Sequence, residues 1–347
     1  VVFISYDKGL YLMKSIVFFN NKGGVGKTTL LCNVAAYLSL EMGKKVLVVD
    51  ADPQCNTTSY CLGDRELEVF YANDKRESIE SFLNPIRRGK GYVQNKIQPI
   101  KTERFGFDLI AGDPKLALSE DLLATDWDPA TSGKPRGLQT TLVFSHLSNL
   151  YSEYDFVLYD VGPSLGALNR SVLISCDHFL IPMSVDVFSL MALSNINQSL
   201  DNWKAGIVKG LDSHKKYEGE DFTIDDDRVE WKLSFIGYAM QQYKGKTVKG
   251  TKVKVNAFEK VAKKVPKLMQ GEIIIPHAKN SKLDFDLGQI ENMNSLIPLS
   301  QLAHSPIFAL KGRDGVVGAH FTKVNEARGV YRGICHKLLA NLEGGVK

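Results

Sequence analysis

The sequence predicts an α/β fold: one domain on a doubly wound, mostly parallel sheet with helices on both faces and several insertions. Three observations carry that expectation. Short apolar runs recur along the chain, and most are followed by a stretch of helical composition. Strands alternating with helices imply right-handed βαβ units and therefore a parallel sheet. No Pro-, Ser- or Gly-rich linker divides the 347 residues, and no internal repeat is present.

The elements follow in order. Residues 14–20 (KSIVFFN) read as a buried strand, a glycine-rich turn follows, and 28–41 has helical composition without Pro or Gly. Residues 45–49 (KVLVV) form a second strand that runs into Asp50-Ala-Asp-Pro-Gln54. Further strands are expected at 107–110, 156–159, 178–181, 233–240 and 272–275. Helices are expected near 114–124, 166–174 and 186–208, and 322–342 reads as a helix that packs on the core. The polar or turn-rich stretches 64–104, 126–136, 212–230 and 243–267 read as insertions. Residues 1–13 read as an N-terminal extension to a domain spanning 14–347, with Met13 an alternative start to Val1.

Composition bounds the function. At 44% hydrophobic and 24% charged residues, the chain can bury a sizeable core without disulfides or a structural metal. No run of 18 or more apolar residues exists, so no membrane span is expected. The five cysteines include no CxxC pair, which suggests reduced thiols and a cytoplasmic location. The net charge of +4 conceals two opposed blocks. Residues 212–230 hold eight acids, whereas 243–267 hold nine lysines and one acid, Glu259.

The chemistry starts at Lys22-Gly-Gly-Val-Gly-Lys-Thr-Thr29, between a predicted strand and a predicted helix. A triphosphate needs many N–H donors at close range. Gly23, Gly24 and Gly26, with Val25, let successive N–H groups turn inward, and the helix beginning at Thr28 and Thr29 adds its positive end. Lys27 can reach the β- and γ-phosphates, and the Thr28 hydroxyl can ligate Mg²⁺. The general phosphate-loop pattern has Gly at the position of Asn21. Asp50 and Asp160 each end an apolar strand, at the ligand edge of an open α/β sheet.

KGGVGKTT matches the deviant Walker A box, and the chain resembles the ParA/MinD family of P-loop ATPases. Residues 50–56 (DADPQCN) resemble that family's switch I, with Cys55 in place of Gly. Residues 154–166 (YDFVLYDVGPSLG) resemble its Walker B and switch II segment, and 177–182 its next strand. The resemblance implies a single P-loop NTPase domain that binds ATP and Mg²⁺, hydrolyses slowly, and forms a homodimer sandwiching two nucleotides. It assigns Lys22 to the partner's nucleotide, Lys27 to its own, Asp52 to the attacking water, and Thr28, Asp50 and Asp160 to Mg²⁺. It points to Gln241, with Gln242 beside it, and to Pro276 for the adenine.

The resemblance also suggests outputs. ParA-like relatives bind DNA non-specifically as ATP dimers and answer to a ParB-like activator. Lys244, Lys246, Lys249, Lys252, Lys254, Lys263, Lys264 and Lys267 are the expected phosphate contacts, because lysines without base-reading partners suit sequence-independent binding. This favours plasmid or chromosome partition. The alternative is an ATP-gated scaffold that positions a protein complex without DNA.

Overall fold

The computed structural model describes residues 12–243, 245–248, 251–254, 261–291, 293 and 295–344, with side chains of 242–254 and Glu291 outside that description. Its centre is an eight-stranded sheet in the order β12-β9-β6-β1-β5-β2-β4-β3. The strands are β1 Lys14–Phe18, β2 Val46–Ala51, β3 Ile100–Lys101, β4 Asp108–Ile110, β5 Phe156–Val161, β6 His178–Ser184, β9 Ser234–Tyr243 and β12 Asp286–Glu291. All neighbours run parallel except β3 and β4. The hairpins β7–β8 (Thr223–Ile224, Asp227–Arg228) and β10–β11 (Gly245–Val248, Thr251–Lys254) stand apart from it.

Both faces of the sheet are covered, which explains why its central strands are apolar throughout. In β1 and just after it, Ile16 and Phe18 face one core while Val17 and Phe19 face the other. The first core packs against α1 (Lys27–Leu40) and the helix His320–Leu342. The second packs against α9 (Ala167–Ser175) and α10 (Val187–Glu218).

One expected strand is not a strand. Residues 272–275 lie in wide helical turns, Gln270–Ile274, continuing into Ile275–His277. A short run of isoleucines satisfies a buried strand or a buried helical turn equally well. Here Ile273 and Ile274 are buried while Ile275 is 64% exposed. The last parallel strand is instead β12, whose sequence DLGQIE is too polar and glycine-broken to announce itself.

The stretches 64–104, 126–136 and 212–230, read as insertions, carry regular structure. Residues 64–104 form α3 (Asp64–Ala72), α4 (Ile79–Arg87) and β3. Residues 126–136 form α6 (Trp127–Thr131) and the start of the helix Pro135–Thr141, and pack tightly on α10. A Cβ on Gly210 would collide with the Ala130 carbonyl, so only glycine allows that approach. Residues 212–230 end α10 and form β7–β8. Asp225 in that turn accepts from Nδ1 of the buried His146 at 2.7 Å.

His178 opens β6 with Nδ1 buried and unpartnered among the described residues. Burial pushes its pKa down to about 4 from the ordinary 6.5. Between those values the unfolded chain binds more protons than the folded one, so stability falls as pH drops through that window. The loss is on the order of 3 kcal/mol. His178→Gln should flatten the dependence of the urea midpoint on pH between about 6.5 and 4. An unchanged slope would assign the effect to other groups.

Candidate nucleotide site

The loop between β1 and α1 is built for close approach. Gly24 and Gly26 have φ of 72° and 77°, the left-handed region that glycine enters without cost. Gln241, at the end of β9, donates from Nε2 to the Gly26 carbonyl at 2.9 Å. A Cβ on Gly26 would strike the Gln241 amide oxygen, so loop and strand end are fitted to each other.

A cleft of about 760 Å³ opens over this loop. Residues 23–29 and Asp52 line it, with Asn56, Ser59 and Tyr60 of α2 (Asn56–Cys61), Asp64 at the start of α3, and Pro163. Pro298, Gln301 and Leu302 of the helix Leu296–Leu302, and His304 after it, complete the lining. The sequence reading missed these last residues because they follow the unrecognised strand β12. Pro276 is not among them. It lines a separate surface cavity with Lys204, Trp231 and Lys279. Gln241 is not in the cleft lining either, because its amide is spent on the loop backbone.

The parallel register of β2 and β5 sets Asp50 directly opposite Asp160. Both carboxylates are fully buried. Asp160 Oδ2 accepts from the hydroxyls of Thr28 and Thr57, each at 2.7 Å, while Oδ1 is buried with no partner among the described residues. Asp50 Oδ2 accepts from the Thr58 amide at 2.8 Å and its hydroxyl at 2.6 Å. Burial, and then the neighbouring Asp160 charge, push Asp50 up to about 7. Burial also raises Asp160, while Lys27 pulls it back. Two buried acids with an orphaned oxygen beside a threonine hydroxyl suit a divalent cation, which would supply the missing positive charge. No cluster of three His, Cys, Asp or Glu side chains gathers among the described residues. A Mg²⁺ that keeps several waters needs no such cage.

Asp52 is 6% exposed, and its Oδ1 accepts from the Gln54 amide at 2.9 Å. Gly162 lies beside it: a Cβ there would sit 3.4 Å from that oxygen, in ordinary contact. Cys55 has φ of 53°, which explains why a glycine suits this position and implies a strain of about 1 kcal/mol.

Lys22 is turned away from the cleft. Its ammonium pairs with Asp186 and lies 3.3 Å from the Ser184 hydroxyl and 3.5 Å from that of Ser189. Asp186 is also the N-cap of α10, accepting from the Ser189 amide at 3.0 Å. Although burial opposes it, the hydrogen bond from Lys22 leads in holding the Asp186 carboxyl down at about 2.

Among the expected DNA contacts, Lys246, Lys252 and Lys254 lie on the β10–β11 hairpin, and Lys263, Lys264 and Lys267 are exposed at or beside the helix Val265–Met269. Lys244 and Lys249 lie outside the described residues. The hairpin follows the carboxyl end of β9, the same end of the parallel strands at which the loop and the acids lie. Among the described residues, no helix is long and apolar enough to cross a membrane.

Comparison with known proteins agrees with this geometry. The AAA_31 family model (AAA domain) matches residues 13–212, more than half of the chain. The chromosome-partitioning ATPase Soj of Thermus thermophilus is 31% identical over 195 residues, 56% of this chain and 64% of that protein. The virulence plasmid ParA family protein pGP5-D of Chlamydia psittaci is 31% identical over 186 residues, 54% of this chain and 62% of that protein. The matched segment thus spans less than two thirds of either relative. The fold is also that of a putative plasmid partition protein from Borrelia burgdorferi solved with AMPPNP, at a TM-score of 0.56 and 18% identity over 94% of this chain and 98% of that one. With its phosphate loop, paired acids and sheet order, the chain belongs to the AAA_31 family and to the ParA/MinD group of P-loop ATPases.

Proposed function

We propose that the chain is an ATP-dependent dimeric switch that hydrolyses ATP slowly, binds DNA without sequence preference in its ATP state, and answers to a ParB-like activator. The observation that carries this is the Thr28–Asp160–Asp50 group beneath the glycine loop, with its orphaned carboxylate oxygen. In this reading the N–H groups of residues 23–29 cradle the phosphates and Lys27 neutralises them. Thr28, Asp50 and Asp160 would hold Mg²⁺. The ion supplies charge neutralisation for the β- and γ-phosphates. Asp52 orients the attacking water, and Lys22 serves the partner's nucleotide.

Two features support the output. Val187, Phe188 and Met191 are 59%, 73% and 62% exposed beside the Lys22–Asp186 pair, an apolar face suited to a second copy. The lysine hairpin leaves the sheet from the nucleotide edge, which suits DNA binding that follows nucleotide state. The Soj and plasmid-partition names of its relatives favour partition as the setting.

A gel shift with random duplex DNA tests the output. ATP should permit binding and ADP should not. Six lysine–phosphate contacts would weaken affinity by roughly 10³-fold between 50 and 200 mM salt. No binding at low salt with ATP would favour the scaffold reading instead.

A further inference from the structure

We infer that Glu120 is a positioning residue for hydrolysis: it clamps the helix that follows the 162–166 loop and so fixes that loop against Asp52. The inference rests on the ATPase reading above. Glu120 opens α5 (Glu120–Thr125), in a segment no phosphate motif includes. Its Oε1 accepts from the Ala167 amide at 2.5 Å and its Oε2 from the Leu168 amide at 2.9 Å. These are the first two N–H groups of α9, whose N-cap, Gly166, offers no side chain. A helix start leaves such donors unsatisfied, and a carboxylate there also meets the positive end of the helix dipole. Glu120 supplies this cap from 47 residues away in sequence. A Cβ on Gly166 would collide with Glu120 Oε1, so that glycine is required by the clamp.

The clamp reaches the cleft through α9. Asn169, in the first turn, donates from Nδ2 to the carbonyls of Gly162 at 2.7 Å and Ser164 at 2.8 Å. Gly162 lies beside Asp52, close enough that a Cβ on it would touch the carboxylate. The loop is therefore held at both ends: by the β5 register before it, and by Glu120 and Asn169 after it. Arg170 adds a second tie between the same helices, donating to the Leu123 carbonyl at 2.9 Å with its guanidinium 4.2 Å over the Trp127 ring. Water attack depends on sub-ångström placement, so loosening α9 should slow the chemical step more than it weakens nucleotide binding.

The test compares Glu120→Ala and Glu120→Gln with the parent protein. Turnover, MgATP affinity, thermal midpoint and amide exchange at Ala167 and Leu168 are measured for each. Glu120→Ala should lower kcat by about tenfold, with affinity within about twofold and faster exchange at both amides. Glu120→Gln should fall between, because its carbonyl oxygen still accepts one N–H. Unchanged turnover despite faster exchange would overturn the inference. So would kcat, affinity and thermal midpoint falling together in both variants, which is the signature of a purely structural cap. A parent protein that hydrolyses no ATP would sink the ATPase reading instead. Exchange at these amides would then decide the clamp alone, and indifference to MgATP in the parent would overturn it.

Discussion

Asp52→Ala should abolish most ATP hydrolysis, by roughly 10²- to 10³-fold, while leaving MgATP binding within a few-fold of the parent. The three acids near the phosphate loop are not equivalent. Asp50 and Asp160 are fully buried, and Oδ2 of each accepts from threonine donors. Asp52 alone of the three lines the cleft, and the Gln54 amide orients it while it retains access to water. A carboxylate in that position can orient a nucleophilic water, and its loss removes an interaction made chiefly in the transition state. Asp160→Asn should behave differently. It removes charge from the Mg²⁺ side and should weaken MgATP binding itself. Single-turnover hydrolysis beside equilibrium nucleotide binding separates the two patterns. Hydrolysis at the parent rate in Asp52→Ala would remove its water-orienting role.

The phosphate half of this site was legible in the sequence because each part is local. A buried strand, a glycine turn and a helix in immediate succession leave the backbone few alternatives. Asp50 and Asp160 could be placed because each ends an apolar strand, and parallel register then sets them opposite one another. The wall of the cleft after β12 was not legible. It depends on β12, whose polar sequence carries no strand signal, while the isoleucine run at 272–275 carried a false one. Pro276, expected to pack on the adenine, lines another cavity, and Pro298, Gln301, Leu302 and His304, which line the cleft, went unread. Gln241 lay at the anticipated strand end, but its partner is the Gly26 carbonyl, a contact across 215 residues. Glu120 was hidden for the same reason: a cap supplied from another helix leaves no local pattern.

Lys22 poses the sharper test, because two substitutions in one ion pair should act in opposite directions. Lys22→Ala should spare nucleotide binding but prevent ATP-dependent dimerisation and hydrolysis, since the trans charge is gone. Asp186→Asn should instead promote dimerisation. In the structure the Lys22 ammonium is engaged within its own chain by Asp186, Ser184 and Ser189. It cannot serve a partner's nucleotide until it leaves them. The side chains of Lys22 and Asp186 are 30% and 34% exposed, so water screens the pair and it holds by about 1 kcal/mol. Asparagine keeps the N-cap of α10, because its amide oxygen can still accept from the Ser189 amide, and it removes only the charge. The energy released corresponds to about a fivefold gain in dimer formation for each lysine freed. Sedimentation with a non-hydrolysable ATP analogue reads both variants directly. If Asp186→Asn weakens dimerisation as Lys22→Ala does, the pair is part of the assembled interface rather than a restraint on it. Lys22 and Asp186, 164 positions apart in sequence, then meet for assembly and not to hold the lysine back.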